Sequence, residues 1–219
     1  MRSKTLNKKS QYIHDLFSIT DIKLTLTSQL MNNDTLPMQL SPTEGQILQL
    51  LIKMNNITSI IEVGTFIGFS AICMAKALPE NGHIYTIEQD AISVQQAQNN
   101  LKKHHLSHKV TVINNTAIAA LEQLTTMSPF DMIFIDAKKS EYCNYLDWAE
   151  VNIKKNGIIV ADNTLLFGNV YDADNIRKKV SKNTVDTMCT FNKRLSNKNK
   201  YLTTLLPTEE GMTIALKLF

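Results

Sequence analysis

Four short stretches hold residues whose types and spacing could do chemistry. Phe134-Ile135-Asp136-Ala137-Lys138-Lys139 and Val160-Ala161-Asp162-Asn163-Thr164 each set acids directly after an apolar run. Glu62-Val63-Gly64-Thr65-Phe66-Ile67-Gly68-Phe69-Ser70 sets two glycines after another, and Glu88 closes a further one. Taken singly, Asp136, Asp162 and Asn163 are ordinary cap and turn residues. Brought to the ends of neighbouring strands, they become two carboxylates and an amide oxygen with no His or Cys. That donor set suits Mg²⁺, Mn²⁺ or Ca²⁺ and not zinc. Three protein ligands on a roughly six-coordinate ion leave about three positions for water or substrate oxygens. Two close carboxylates would otherwise repel, and a divalent cation removes the conflict.

The glycine stretch points to a second ligand. Gly64 and Gly68 let backbone approach a ligand at a helix N-terminus, although glycine in such a place also serves a plain turn. Their spacing is G-x-x-x-G, not the G-x-G-x-x-G that cradles a pyrophosphate, which counts against a dinucleotide. Glu88 ends the next strand, where an acid can accept from both ribose hydroxyls or simply sit at a helix start. Glu62, Gly64, Gly68 and Glu88 together indicate an adenosine-type ligand without pyrophosphate.

The elements that must position these residues are legible in the patterning. Ser41-Pro42-Thr43-Glu44 is a capped helix start, followed by one apolar face through Ile47, Leu48, Leu51 and Ile52. Strands are expected at 59–63, 83–87, 110–113, 131–135 and 157–161, with helices at 70–78, from Ala91, at 117–124 and at 142–151. A further helix with Ile176, Val180 and Met188 in its interior precedes two closing strands near 202–206 and 212–218, joined by Pro207-Thr208-Glu209-Glu210-Gly211. Continuous apolar strands separated by helices predict a doubly wound α/β fold, a mostly parallel seven-stranded sheet with a C-terminal antiparallel hairpin. Ligands then bind beyond the carboxyl ends of the strands. Residues 1–35 read as one or two helices, and one domain is expected over 1–219.

Composition narrows the class. The chain has 219 residues, 43% hydrophobic and 20% charged, long enough for a core without disulfides and too apolar for wholesale disorder. Cys73, Cys143 and Cys189 are scattered, which excludes a disulfide framework and suits a reducing, cytoplasmic setting. The basic start lacks an apolar continuation, so no signal peptide is expected, and no run has the length of a membrane span. His14, His83, His104, His105 and His108 form no ligand spacing with an acid. Formal charge is +3, with 20 Lys against 3 Arg, poor supply for bidentate phosphate or guanine readout. Between Arg177 and Lys200, however, eight basic residues face the single acid Asp186. Either a solvated helix face or a surface for an acidic partner fits that excess.

At these residues the chain resembles the class I S-adenosylmethionine-dependent O-methyltransferases of the catechol and caffeoyl-coenzyme A type. The likeness runs from about Met38 to the C-terminus and includes Ser41-Pro42-Thr43-Glu44-Gly45-Gln46 as well as the glycine, Asp-x-x-Lys and Asp-Asn stretches. The glycine motif is shared by many methyltransferases, whereas Asp-x-x-Lys with Asp-Asn marks the metal-dependent branch. The resemblance implies that Met38, Glu62, Gly64, Gly68, Ser70, Glu88, Ala117 and Asp136 bind S-adenosylmethionine. It implies that Asp136, Asp162 and Asn163 hold the cation and that Lys139, beside Asp136, is the general base. Lys138 stands where plant-type relatives have Asp, putting a new positive charge beside the site.

The expected reaction is methyl transfer to a hydroxyl oxygen of a metal-chelated, ortho-dihydroxy small molecule. Two adjacent oxygens fit the open metal positions, and the cation stabilises the oxyanion. Rival readings keep a hydroxyuridine of tRNA or a coenzyme A thioester as acceptor, met by the basic 177–200 segment. A non-catalytic S-adenosylmethionine-binding protein and an NAD dehydrogenase are the remaining alternatives. No membrane partner is expected, and a homodimer is.

Overall fold

The computed structural model describes residues 8–17, 19, 21, 22, 24, 40–172, 174, 180–208 and 210–219. Met38, Leu26, Leu30, Ile176, Arg177, Lys178, Lys179 and Glu209 lie outside the described residues. The strands are β1 (Ser59–Val63), β2 (His83–Glu88), β3 (Val110–Asn114), β4 (Phe130–Ile135), β5 (Ile153–Asp162), β6 (Tyr201–Leu206) and β7 (Met212–Lys217). The helices are α1 (Lys8–Phe17), α2 (Pro42–Met54), α3 (Phe69–Ala77), α4 (Ala91–Lys103), α5 (Ala117–Leu124), α6 (Tyr142–Asn152) and α7 (Lys182–Leu195). The strands form one seven-stranded sheet in the order β3-β2-β1-β4-β5-β7-β6. The expected α/β architecture is therefore present, with β6 and β7 as the antiparallel pair. The chain divides into two compact units, residues 1–59 with 65–116 and residues 60–64 with 117–219.

In the first unit, local chemistry sets each helix start. Ser41 accepts from the Glu44 amide while the Glu44 carboxylate accepts from the Ser41 amide, a complete capping box behind Pro42. Leu48 and Ile52 on one face of α2 are buried, and α2 runs close to α3 at Gly45, where a Cβ would lie 2.8 Å from Cys73 Sγ. Asp90 caps α4 through the Ser93 amide. β2 and β3 pair in parallel from Ile84↔Val110 to Glu88↔Asn114.

In the second unit, β1 and β4 are parallel and in register from Ile60↔Met132 to Val63↔Ile135, and β4 pairs in parallel with β5. All six residues of β4 are buried, so both of its faces are covered, as its unbroken apolar run requires. β7 joins β5 antiparallel from Ile158↔Leu216 to Asp162↔Met212. Of the helix expected to hold Ile176, Val180 and Met188 in its interior, α7 contains Met188, and Ile176 lies outside the described residues. Ser181 caps α7 by accepting from the Thr184 amide, leaving Val180 outside and Met188, Phe191 and Leu195 as the buried stripe. β5 is longer than expected because Ile153 pairs with Phe130, and the register shifts before Ile158 pairs with Met132.

Candidate active site

Parallel registration sets the first distance in the site. Ile135 pairs with Ala161, so Asp136 and Asp162 follow directly out of adjacent strands β4 and β5, and paired strands run about 4.8 Å apart. The chain reverses its strand order between β1 and β4, the kind of place where ligands bind in open α/β sheets. The loops after these two strands touch directly: the Asp136 amide donates to the Val63 carbonyl at 2.9 Å. Gly64 stands at φ +101°, and a Cβ there would lie 2.1 Å from the Asp136 carbonyl oxygen. Its glycine is thus required by backbone packing that seats Asp136, whatever ligand approaches.

Around the two strand ends the polar side chains form one chain of contacts. Lys139 Nζ donates to Asp136 Oδ1 at 2.8 Å and to Tyr142 Oη at 2.7 Å. Tyr142 Oη in turn donates to the Asp162 carbonyl at 2.9 Å, with the Ile135 carbonyl at 3.3 Å. Tyr142 is fully buried. Burial, with Asp136 and Asp162 nearby, pushes its hydroxyl well above the ordinary phenol range, so it stays protonated and must donate. Asp162 is buried and accepts from the Asn163 amide through Oδ1 at 2.8 Å. These contacts link Asp136, Lys139 and Asp162 through Tyr142, which sequence reasoning missed, and the Asn163 amide joins them at Asp162. The signal for Tyr142 was the spacing Lys139-x-x-Tyr142, one helical turn from the lysine and indistinguishable there from a core aromatic.

The loop carrying Asn163 is backbone-strained and tied down. Asn163, Leu166 and Phe167 all have positive φ (59°, 46° and 57°), which bulky residues rarely adopt. The turn before β7 holds them: Thr164 and Leu165 amides donate to the Gly211 and Glu210 carbonyls, and Glu210 Oε2 accepts from the Phe167 amide. Asn192 Nδ2 closes the other side on the Thr164 carbonyl at 2.8 Å.

Lys138 is not an added charge facing the metal-type donors. Its side chain is 67% exposed, and its ammonium meets Glu141 Oε1 at 2.6 Å. That ammonium holds the Glu141 carboxyl below the usual range, with a smaller share from the Tyr145 hydroxyl. Glu62 is fully buried on β1, and Ala117 is half-buried as the first residue of α5. Trp148 stacks on Phe130 and donates to Thr125 Oγ1, and Tyr145 is buried, so both are packing residues.

The first unit carries the other candidates. Gly68, at φ +86°, is the N-cap of α3, and no side chain among the described residues caps that helix. Ser70 is buried in its first turn. Glu88 Oε2 accepts from the Phe66 amide and Oε1 from the Asp90 amide, both at 2.9 Å. Two of its roughly four acceptor positions are used, so the carboxylate is oriented yet can still accept more. Asn114 Nδ2 braces the same turn on the Glu88 and Gln89 carbonyls.

Part of the basic segment is locally answered. Lys182 pairs with Asp186, Arg194 with Asp147 and Glu150, and Lys200 with Glu150, so two acids of α6 offset part of the excess. Among the described residues no group of three or more His, Cys, Asp or Glu side chains could hold a metal. Asp136 and Asp162 are two such side chains, and Asn163 follows Asp162 in the chain. No helix among the described residues is long and apolar enough to cross a membrane.

Comparison with known proteins sets the chain beside O-methyltransferases. A family model described as O-methyltransferase matches residues 9–218. A catechol O-methyltransferase of Niastella koreensis is 36% identical over 183 residues, 82% of this chain and 83% of that protein. A caffeoyl-CoA O-methyltransferase of Eucalyptus globulus is 31% identical over 182 residues, 81% of this chain and 74% of that protein. The crystal structure of an O-methyltransferase of Streptomyces achromogenes in complex with SAM superposes with TM-score 0.82 at 27% identity, covering 97% of both chains.

Proposed function

The chain belongs to the O-methyltransferase family, and from that premise we propose that it moves the methyl group of S-adenosylmethionine onto a hydroxyl oxygen of a cation-chelated, catechol-like acceptor. The observation that carries this reading is the placement of Asp136 and Asp162 on adjacent strand ends, with Lys139 Nζ 2.8 Å from Asp136. Two carboxylates and the Asn163 amide are oxygen donors of the kind hard cations select. A lysine ammonium already sits on Asp136, so this carboxylate accepts a cation. Asp136, Asp162 and Asn163 would hold the divalent ion, which, when bound, makes acceptor hydroxyls more acidic.

The uncapped N-terminus of α3 offers amide donors of the kind a carboxylate tail needs, and Glu88 keeps acceptor capacity for a ribose. Both features fit S-adenosylmethionine, which supplies an electrophilic methyl when bound. Lys139 Nζ, once it has released its own proton and stands as the neutral amine, takes the hydroxyl proton, and its tether to Tyr142 keeps that nitrogen in place. Orientation by fixed side chains contributes on the order of 7–11 kcal/mol in well-aligned systems. A small molecule is favoured over tRNA as acceptor, since Lys182, Arg194 and Lys200 are already paired with acids.

The test is transfer of labelled methyl from S-adenosylmethionine to a catechol. EDTA should abolish it, and Mg²⁺ or Mn²⁺ should restore it. Undiminished turnover in chelator removes the cation from the reading. Transfer to tRNA with a steep salt dependence, and none to catechols, replaces the acceptor.

A further inference from the structure

Tyr142 occupies a place that packing alone does not explain. A phenylalanine would fill the same space against Phe191, whose ring stands edge-on at 5.2 Å, and against Tyr145 at 6.1 Å. The hydroxyl instead sits among three partners from three chain segments: Lys139 Nζ, the last carbonyl of β4 (Ile135) and the last of β5 (Asp162). A lysine has four rotatable side-chain bonds, and Asp136 alone, accepting through one oxygen, leaves its ammonium free to pivot. A second, buried acceptor at 2.7 Å removes that freedom. Because Tyr142 spends its single proton on a carbonyl, its lone pair faces the lysine, and the direction of the chain is set.

We infer that Tyr142 is a positioning residue, whose hydroxyl tethers Lys139 and ties it to the ends of β4 and β5. Only the kinetic consequence of this role rests on the proposed function. The tether itself stands on geometry, and the two are tested by separate readouts.

The variant is Tyr142→Phe in the full chain, with Lys139→Met and the double variant beside it. The first readout is acylation of Lys139 by an amine-reactive ester, followed by peptide mass spectrometry with exposed Lys138 as internal reference. Loss of the tether should raise the Lys139 labelling rate severalfold while Lys138 is unchanged. The second readout is methyl transfer. Tyr142→Phe should lower kcat about tenfold, the rate equivalent of one hydrogen bond to a charged group, with KM for both substrates within about twofold. In the Lys139→Met background the same substitution should have no further effect on kcat.

An unchanged labelling rate in folded Tyr142→Phe overturns the tether. So does a kcat loss that persists undiminished in the double variant, since Tyr142 would then act on something other than Lys139. Raised labelling together with a fully active Lys139→Met leaves the tether standing and overturns the assignment of Lys139 as base. Should Tyr142→Phe not fold, lysine-15N spectra of the wild type decide the matter. The signal that disappears in Lys139→Gln should belong to a slowly exchanging ammonium, and fast exchange there overturns the tether.

Discussion

Two adjacent lysines illustrate how little residue type says without contacts. Lys139 is mostly buried between a carboxylate and a phenol, whereas Lys138 points outward onto Glu141. Lys139→Met should therefore lower kcat about 10²-fold, the scale on which general-base catalysis operates. Lys138→Met should leave kcat within about twofold, any change falling on KM, and should cost less than about 1 kcal/mol as an exposed pair. Steady-state kinetics of the two variants on one acceptor checks this. Equal losses would mean that the local charge, not the positioned amine, matters.

At the scale of elements, the site is assembled by loops that touch at glycine and by a hairpin turn that restrains a strained loop. Gly64 and Gly68 both have positive φ, but their surroundings differ. A Cβ at Gly64 meets the Asp136 carbonyl, whereas one at Gly68 lies 3.3 Å from Ala97 Cβ. Each Ala substitution incurs about 1–2 kcal/mol for the left-handed conformation. Gly64→Ala adds roughly 1–3 kcal/mol of overpacking against backbone. Its melting temperature should fall by roughly 4–20 °C, against about 2–8 °C for Gly68→Ala, given about 2–4 °C per kcal/mol at this chain length. Because the clash displaces Asp136, Gly64→Ala should also lose methyl transfer at temperatures where it remains folded. Calorimetry beside an activity assay separates the two effects.

Over the whole molecule, buried phenols couple stability to alkaline pH. Burial raises Tyr142, Tyr145 and Tyr201 above the ordinary phenol range, Tyr145 further through Glu141 and Tyr201 further through Glu150. Above about pH 10 the unfolded chain releases these protons while the folded chain keeps them. The folded state then binds more protons, so stability falls as pH rises, by up to about 1.4 kcal/mol per pH unit for each tyrosine. Below about pH 10 both states are protonated and the contribution is constant. Melting temperatures between about pH 8 and 11 should be flat and then drop, and Tyr201→Phe should reduce the slope. An equal slope in that variant would mean that Tyr201 ionises without unfolding.

Much of this could be read from the chain alone, for a physical reason. Strand and helix periods, the Ser41 capping box and the apolar runs of β1, β4 and β5 are local consequences of burial and hydrogen bonding, and the order of elements follows from them. Asp136, Lys139, Asp162 and Asn163 were legible because parallel strands deliver their carboxyl ends to one edge, so that residues distant in sequence become neighbours by topology. Three things were decided only by tertiary structure. Tyr142 carries no signal of its own in the sequence, since its hydroxyl acquires meaning from two carbonyls that belong to other elements. Part of the charge of the 177–200 segment is met by Asp147 and Glu150 on α6, about 50 residues upstream of Arg194 and Lys200, which the sequence alone does not bring together. The strained turn at Asn163–Phe167 carries no sequence signature, because what holds it is Glu210 and Gly211, more than 40 residues away. Contacts between distant segments depend on where the chain folds back, and side-chain period says nothing about the partner found there.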